Sequence, residues 1–262
     1  MVELLVVIPV YNEAHRIEGN TIKIINFLEK KRVDYEIVLA VDPSPDKSEV
    51  ICQKLEERFD KVYAVISQKK EGRGLAVRSA WNHHRASVYS FIDADLSVGI
   101  EPLYDGYVMI KDGITNFVIG SRYSAGSKTK RPPLRKAVSF SYNLLLQRIF
   151  KNDIKDYQCG LKIMSSDVVN TVISLSRVKS WFWDAEIIII ALNKGYKVYQ
   201  LPVVWSEKKH TRTSLKRLAH DMILHGWGIL LLYKRIRQDH IALKPRNMES
   251  VLQIQEDGFK KY

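Results

Sequence analysis

"YSFIDADLS", Tyr89–Ser97, ends an apolar run on two carboxylates one residue apart, Asp93 and Asp95. Ionised groups at the end of a buried strand repel each other and are costly to desolvate. Something cationic must therefore complete the stretch. Where a strand stops and the backbone turns, side chains at i and i+2 can both reach one divalent cation. Their hard oxygens suit Mg²⁺ or Mn²⁺, ions that keep waters and take up substrate phosphates. Alone, D-x-D is a weak pattern, since a pair of turn-forming aspartates is the commoner reading. Its neighbours decide its weight.

Upstream, "ELLVVIP" (Glu3–Pro9), "YEIVLAV" (Tyr35–Val41), "KVYAVIS" and "SVYSFID" read as buried strands, separated by stretches of helical period over about 14–31, to about Phe59, and after "EGRG". Asp46 and Glu49 resemble a helix N-cap signal. Continuous apolar strands alternating with helices predict a parallel sheet covered on both faces, with ligands at the carboxyl ends of the strands. Asp42, Asp93 and Asp95 lie at those ends. "KKEGRGLAV" puts Gly72, Arg73 and Gly74 at a loop entering a helix, where backbone N–H groups and a cation can meet an anion. It is not a dinucleotide fingerprint, because G-x-G-x-x-G would need Gly at Val77 and would follow the first strand.

The chain has 262 residues, 46% of them hydrophobic, and a formal charge of +12. That balance predicts an anionic partner: nucleic acid, an acidic membrane surface or a phosphorylated substrate. From Gly113 to Asn152 there is no Asp or Glu, while Arg122, Lys128, Lys130, Arg131, Arg135, Lys136, Arg148 and Lys151 fall there. Cys52 and Cys159 form no CxxC pattern, which argues against a disulfide framework or zinc site. The start carries no signal-peptide pattern, and no apolar run reaches the ~18–20 residues of a membrane span.

In this order, "VVIPVYNE" (Val6–Glu13), "EGRGLAVRSAW", "DADLS", "GSRY" and "CGLKIM" resemble a family-2 glycosyltransferase of the GT-A fold. More narrowly the chain is similar to the polyprenyl-phosphate glycosyltransferases, the dolichyl-phosphate mannose and dolichyl-phosphate glucose synthases, over about residues 3–235. The resemblance implies a Rossmann-like, mostly parallel sheet flanked by helices. It implies that Pro9, Tyr11, Glu13, Gly72, Arg73 and Asp93 line the nucleotide sugar, with Asp42 near base or ribose. Asp93 and Asp95 match the metal-binding D-x-D; Arg122, Arg135, Ser139, Arg212 and Ser214 match positions that hold the lipid phosphate. Asp93, Asp95 and Arg122 are thus the expected catalytic set; Asp184 and Glu186 of "FWDAE" are expected to be sugar contacts or, on the other reading, partners for buried backbone or Arg groups. The chain departs from the family at "AVDPSPD", where VDDGSPD is common and Val41 replaces the first acid.

The expected reaction is inverting transfer of a hexose from a nucleotide-diphosphate sugar to dolichyl or polyprenyl phosphate. "QCGLK" resembles the glucose-type more than the mannose-type synthases, and that resemblance implies UDP-glucose, with GDP-mannose close behind. A phosphate monoester with a second pKa near 6 is already nucleophilic at neutral pH, so no dedicated general base is needed. Arginines suit the acceptor because the guanidinium fork donates two hydrogen bonds to phosphate oxygens. Residues 132–150 and 214–237 are expected to be amphipathic helices at the membrane interface, closing a domain of residues 1–237 before a polar tail at 238–262. In the second helix the apolar run Met222–Tyr233 is too short to span and is flanked by basic residues. Burial in a core or a dimer interface is the alternative for it. The expected location is peripheral, on the cytoplasmic face of a membrane. Two rivals differ in kind: a GT-A enzyme acting on a soluble glycan or protein, and a non-catalytic basic protein binding membrane or nucleic acid. Asp93, Asp95 and the Gly-rich loop argue against the second, and no nucleic-acid partner is expected.

Overall fold

Strand β1 (Val2–Val10) divides its side chains between two cores. Leu4, Val6, Ile8 and Val10 face one, and Leu5 and Val7 face the other. A strand buried on both faces has no polar side to alternate with, which is why it reads as a continuous apolar run. The computed structural model describes residues 1–130, 132–178, 182–206 and 215–238, with side chains described for all of these except 134, 215–225 and 238.

The elements after β1 are α1 (Ile17–Lys30), β2 (Tyr35–Val41), α2 (Ser48–Arg58), β3 (Val62–Ile66), α3 (Arg73–His83), β4 (Ala86–Ile92) and α4 (Glu101–Lys111). Then come β5 (Phe117–Ser121), β6 (Lys128–Lys130), α5 (Pro133–Phe150), β7 (Leu161–Ser165), α6 (Ser166–Leu175), α7 (Trp183–Asn193), β8 (Val198–Pro202), β9 (Val204–Ser206) and α8 (Leu215–Gln238). A seven-stranded sheet has the order β3-β2-β1-β4-β7-β5-β8, and β6 pairs with β9 in a small second sheet. Helices α1, α2 and α4 supply the core on one face; α3, α5, α6, α7 and α8 supply the other.

The parallel expectation holds for every pairing in the large sheet except those of β7, which runs antiparallel to both β4 and β5. Simple βα alternation gave no sign of this reversal. The chain enters β7 from the end of the sheet where β4 finishes, so Leu161 pairs with Ile92 and the Asp93 N–H donates to the Gly160 carbonyl at 2.9 Å. The reversal brings "QCGLK" beside "DADLS". Helix α7 is buried over nearly its whole circumference, which explains an isoleucine run with no amphipathic period.

Helix α8 has two faces. Ile229, Leu232 and Ile236 are buried in the core, while Trp227, Leu230 and Leu231 are exposed. On α5, Phe140 and Leu145 are exposed as well. Among the described residues no helix is long and apolar enough to cross a membrane. Beyond Gln238 the expected tail lies outside the described residues.

Candidate active site

The carboxyl ends of β1, β2 and β4 lie level, with Val10 opposite Val41 and Val7 opposite Phe91. The loops leaving them enclose a cavity of about 290 Å³ lined by Pro9, Tyr11, Glu13, Asp42, Gly72, Arg73, Asp93 and Asp95. Every residue expected to meet the nucleotide sugar therefore borders one space. Lys70, which sequence reasoning passed over, joins them, its Nζ 3.6 Å from the centre of the Tyr11 ring. Its position in a run of lysines gave no signal.

The D-x-D turn is held from within. Asp95 Oδ1 accepts the Ser97 N–H at 2.9 Å and Oδ2 the Ser97 hydroxyl at 2.7 Å. Leu96, between them, has φ 48°, a left-handed conformation that a branched side chain adopts at a cost. Asp93, its side chain 38% exposed, lies over Gly160, where any Cβ would collide with its carboxylate. Burial holds the Asp93 carboxyl above its ordinary range; Arg73 opposes this, and Asp95 and Asp184 add to it.

Behind Asp93 lies a buried charge cluster. Arg73 Nη2 is 3.0 Å from Asp93 Oδ1, and Nη1 is 3.5 Å from Asp184 Oδ2. Lys162, wholly buried, is 3.8 Å from Asp184 Oδ1 and donates to the carbonyls of Tyr157 (2.9 Å) and Cys159 (2.5 Å). Burial pushes the Lys162 ammonium down, and Asp184 partly restores it. Arg73 and Lys162 share the Phe91 ring, at 4.9 and 5.7 Å. Lys162 was also missed as a functional residue, although a lysine inside the apolar strand "LKIMS" is itself the signal of a paired buried charge. The Cys159 side chain is buried beside the Gly160 turn, and burial pushes its thiol up to about 12.

Other expected site residues have different partners. Asp42 receives the N–H groups of Glu71 (3.1 Å) and Gly72 (3.0 Å), so its carboxylate fastens the α3 entry loop to the end of β2. Arg122 is no open cation: Nε and Nη2 meet the two oxygens of buried Asp156 at 2.7 and 2.8 Å. The Arg122 backbone N–H donates to the same carboxylate at 2.9 Å. Glu186 does not border the cavity. It points away from the cavity and accepts N–H groups from Arg177 (3.1 Å) and Val178 (2.9 Å), with Arg235 Nη2 at 3.0 Å. Residues i and i+2 lie about 200° apart on a helix, so Asp184 and Glu186 cannot share a target. Arg135 and Ser139 lie one turn apart on half-buried positions of α5. Tyr142, further along that helix, is close enough to Asp184 for its phenol to feel that charge. Arg212 and Ser214 lie outside the described residues.

Among the described residues no group of three or more His, Cys, Asp or Glu is placed to hold a metal ion. Asp93 and Asp95 instead fit an ion that takes one or two protein carboxylates and fills its shell with waters and phosphate oxygens. The ordered Asp95 carboxylate and the cavity-facing Asp93 supply hard donors at the right end of the sheet.

The family model "Glycosyl transferase family 2" matches residues 5–173. The chain belongs to that family. Glycosyltransferase AglD of Haloferax volcanii is 30% identical over 90% of this chain, which spans only 38% of that longer protein. Dolichyl-phosphate beta-glucosyltransferase ALG5A of Trichomonas vaginalis is 30% identical, covering 85% of this chain and 72% of its own length. The Saccharomyces cerevisiae dolichyl-phosphate beta-glucosyltransferase is 28% identical over 87% of this chain and 75% of its own. Among solved structures, glucosyl-3-phosphoglycerate synthase from Mycobacterium tuberculosis in complex with UDP aligns with TM-score 0.66 at 17% identity, over 89% of this chain and 80% of that one. Mannosyl-3-phosphoglycerate synthase from Rubrobacter xylanophilus gives TM-score 0.68 at 16% identity, over 93% and 77%. These likenesses establish the GT-A fold of this family-2 member, with its D-x-D at the end of β4.

Proposed function

We propose that the enzyme transfers glucose from UDP-glucose to dolichyl or a related polyprenyl phosphate, with inversion, and that it needs Mn²⁺ or Mg²⁺. The observation that carries the reading is the meeting, in one cavity, of Asp93 and Asp95 with Arg73 and the ends of β1 and β2. UDP-glucose over GDP-mannose rests on the glucosyltransferase relatives and on the UDP and Mn²⁺ held by the M. tuberculosis structures of the same fold. A divalent cation held by Asp93 and Asp95 would neutralise the diphosphate leaving group. Arg73, held by Asp93 and Asp184, is a fixed positive charge beside it and needs no reorganisation when charge develops. The acceptor phosphate attacks the anomeric carbon from the opposite side; Arg135 and Ser139 on α5, with Arg212 and Ser214, are its proposed ligands. Arg122 shapes this side through Asp156.

The exposed Phe140 and Leu145 of α5 and Trp227, Leu230 and Leu231 of α8 suit a helix pair resting in the headgroup region, where a lipid phosphate is presented. Lys234 and Arg237, beside them on α8, add attraction to anionic lipid. The test is incubation of the purified chain with radiolabelled UDP-glucose or GDP-mannose and a short polyprenyl phosphate, with Mn²⁺, with Mg²⁺ and with EDTA. A glucosyl lipid formed from UDP-glucose and abolished by EDTA is expected. Product from GDP-mannose alone would overturn the donor, and no lipid product with either would overturn the acceptor.

A further inference from the structure

Glu186 has the burial and the partners of a working residue, yet it faces away from the cavity. Its carboxylate, wholly inaccessible, collects the backbone N–H groups of Arg177 and Val178, just past the end of α6, and the guanidinium of Arg235 from α8. The same Arg235 Nη2 donates to the Leu175 carbonyl at 3.0 Å. Two turns earlier along α8, Gly228 lies against Phe182, the residue that caps α7; a Cβ there would sit 2.5 Å from the ring. Phe182 in turn accepts the N–H groups of Ala185 and Glu186, both at 3.0 Å. The first turn of α7 is therefore gripped twice by α8, once through charge and once through close packing. Asp184 sits in that turn and meets Arg73 and Lys162 on the opposite side.

We infer that Arg235 and Glu186 are a positioning pair that couples the seat of α8 to the placement of Asp184 and Arg73 in the active site. The inference rests on the proposed reaction for its kinetic readout. Helix α8 turns Trp227, Leu230 and Leu231 outward and Ile229, Leu232 and Ile236 inward. A surface that bears on the outer face thus acts on a helix whose inner face holds α7. Glu186 does not border the cavity and works through the turn it anchors.

Three variants test the coupling: Glu186→Gln and Arg235→Met remove the charge pair, while Gly228→Ala pushes α8 off Phe182 and leaves every charge in place. Each should lower kcat roughly ten- to a hundredfold, as small misplacements of catalytic groups do, with UDP affinity in the presence of Mn²⁺ within about twofold of wild type. Arg235→Lys, which keeps the charge, should recover part of the rate. Hydrogen–deuterium exchange supplies a readout independent of turnover: amides of residues 182–186 should exchange faster in all three variants. Folded variants with wild-type kcat, or a Gly228→Ala protein whose 182–186 amides are unchanged, would overturn the coupling. A wild-type enzyme inactive on both donors would instead overturn the proposed reaction, with the exchange result still deciding the coupling.

Discussion

Two pairs of acids in this chain share the same spacing and have opposite fates. Asp93 and Asp95 stand at i and i+2 where β4 ends, and both border the cavity. Asp184 and Glu186 stand at i and i+2 in the first turn of α7; one meets Arg73 and the other Arg235, on opposite sides of the helix. Spacing carries no chemical meaning until the local backbone is known. At a turning strand end two residues apart means convergence, and on a helix it means divergence.

The sharpest way to break this contrast is at the strand end. Asp95→Asn keeps the shape and the Ser97 N–H contact, turns the hydroxyl contact round so that the amide donates to Ser97, and removes a hard anionic donor. We expect kcat to fall by roughly a thousandfold, on the scale of losing a preorganised electrostatic contact, together with loss of metal-dependent UDP binding measured by calorimetry. Retention of both would remove the metal role from the D-x-D and leave the two pairs equivalent.

A buried pair of another kind sits nearby. Burial raises the Asp156 carboxyl, but the charge and hydrogen bonds of Arg122 outweigh this and hold it below the usual carboxylate range. Asp156→Asn leaves Arg122 buried without its counter-charge and should cost about 3–5 kcal/mol. Because the folded value is depressed, that stability is present above the unfolded carboxylate value near 3.9 and is lost as pH falls through the folded one. Chemical denaturation of both proteins from pH 7 to pH 3 should show a constant gap near neutrality that narrows below about pH 4. A gap independent of pH would mean that packing, not charge, is what Asp156 supplies.

How far these contrasts could be read from sequence follows from what each depended on. The strands β1, β2 and β4 declare themselves because both faces are buried, and the ends of such strands locate the cavity. The reversal of β7 did not declare itself, since an antiparallel strand carries the same residues as a parallel one. With it went the pairing of Gly160 and Lys162 with the D-x-D turn. Arg122 read as an open cation because its partner, Asp156, lies 34 residues away and only the fold joins them. Glu186 was legible in principle: the isoleucine run predicts a helix, and helical geometry alone separates it from Asp184.

Gly160→Ala probes the strand end from beneath. The added methyl meets the Asp93 carboxylate at once, and that carboxylate is fixed on its other side by Arg73. A displacement on the order of an ångström should cost about a hundredfold in kcat, and the thermal midpoint should fall as well, because Gly160 is buried against Asp93. Restoration of wild-type rates by saturating Mn²⁺ would show that Asp93 is displaced but still reaches the ion.

The smallest effect on turnover is expected at the helix, where the sign of the effect on binding is the informative part. Stability should fall as it does at Asp156, because buried Lys162 loses its carboxylate. Asp184→Asn removes one negative charge from a cluster in which Arg73 also answers Asp93 and Lys162 has no other carboxylate within 4.0 Å among the described residues. Arg73 then presents more of its charge to the cavity, so UDP should bind as well as or better than to wild type. Turnover should fall, by roughly tenfold, because the guanidinium is held on one side only. Asp95→Asn weakens binding of the diphosphate and Asp184→Asn strengthens it, although both remove one carboxylate from the same charge field. Calorimetry of UDP with Mn²⁺ on the two variants reads that difference directly. A loss of affinity in both would place Asp184 with Asp93 and Asp95 among the carboxylates that hold the diphosphate through the metal ion, and would collapse the distinction between strand end and helix start.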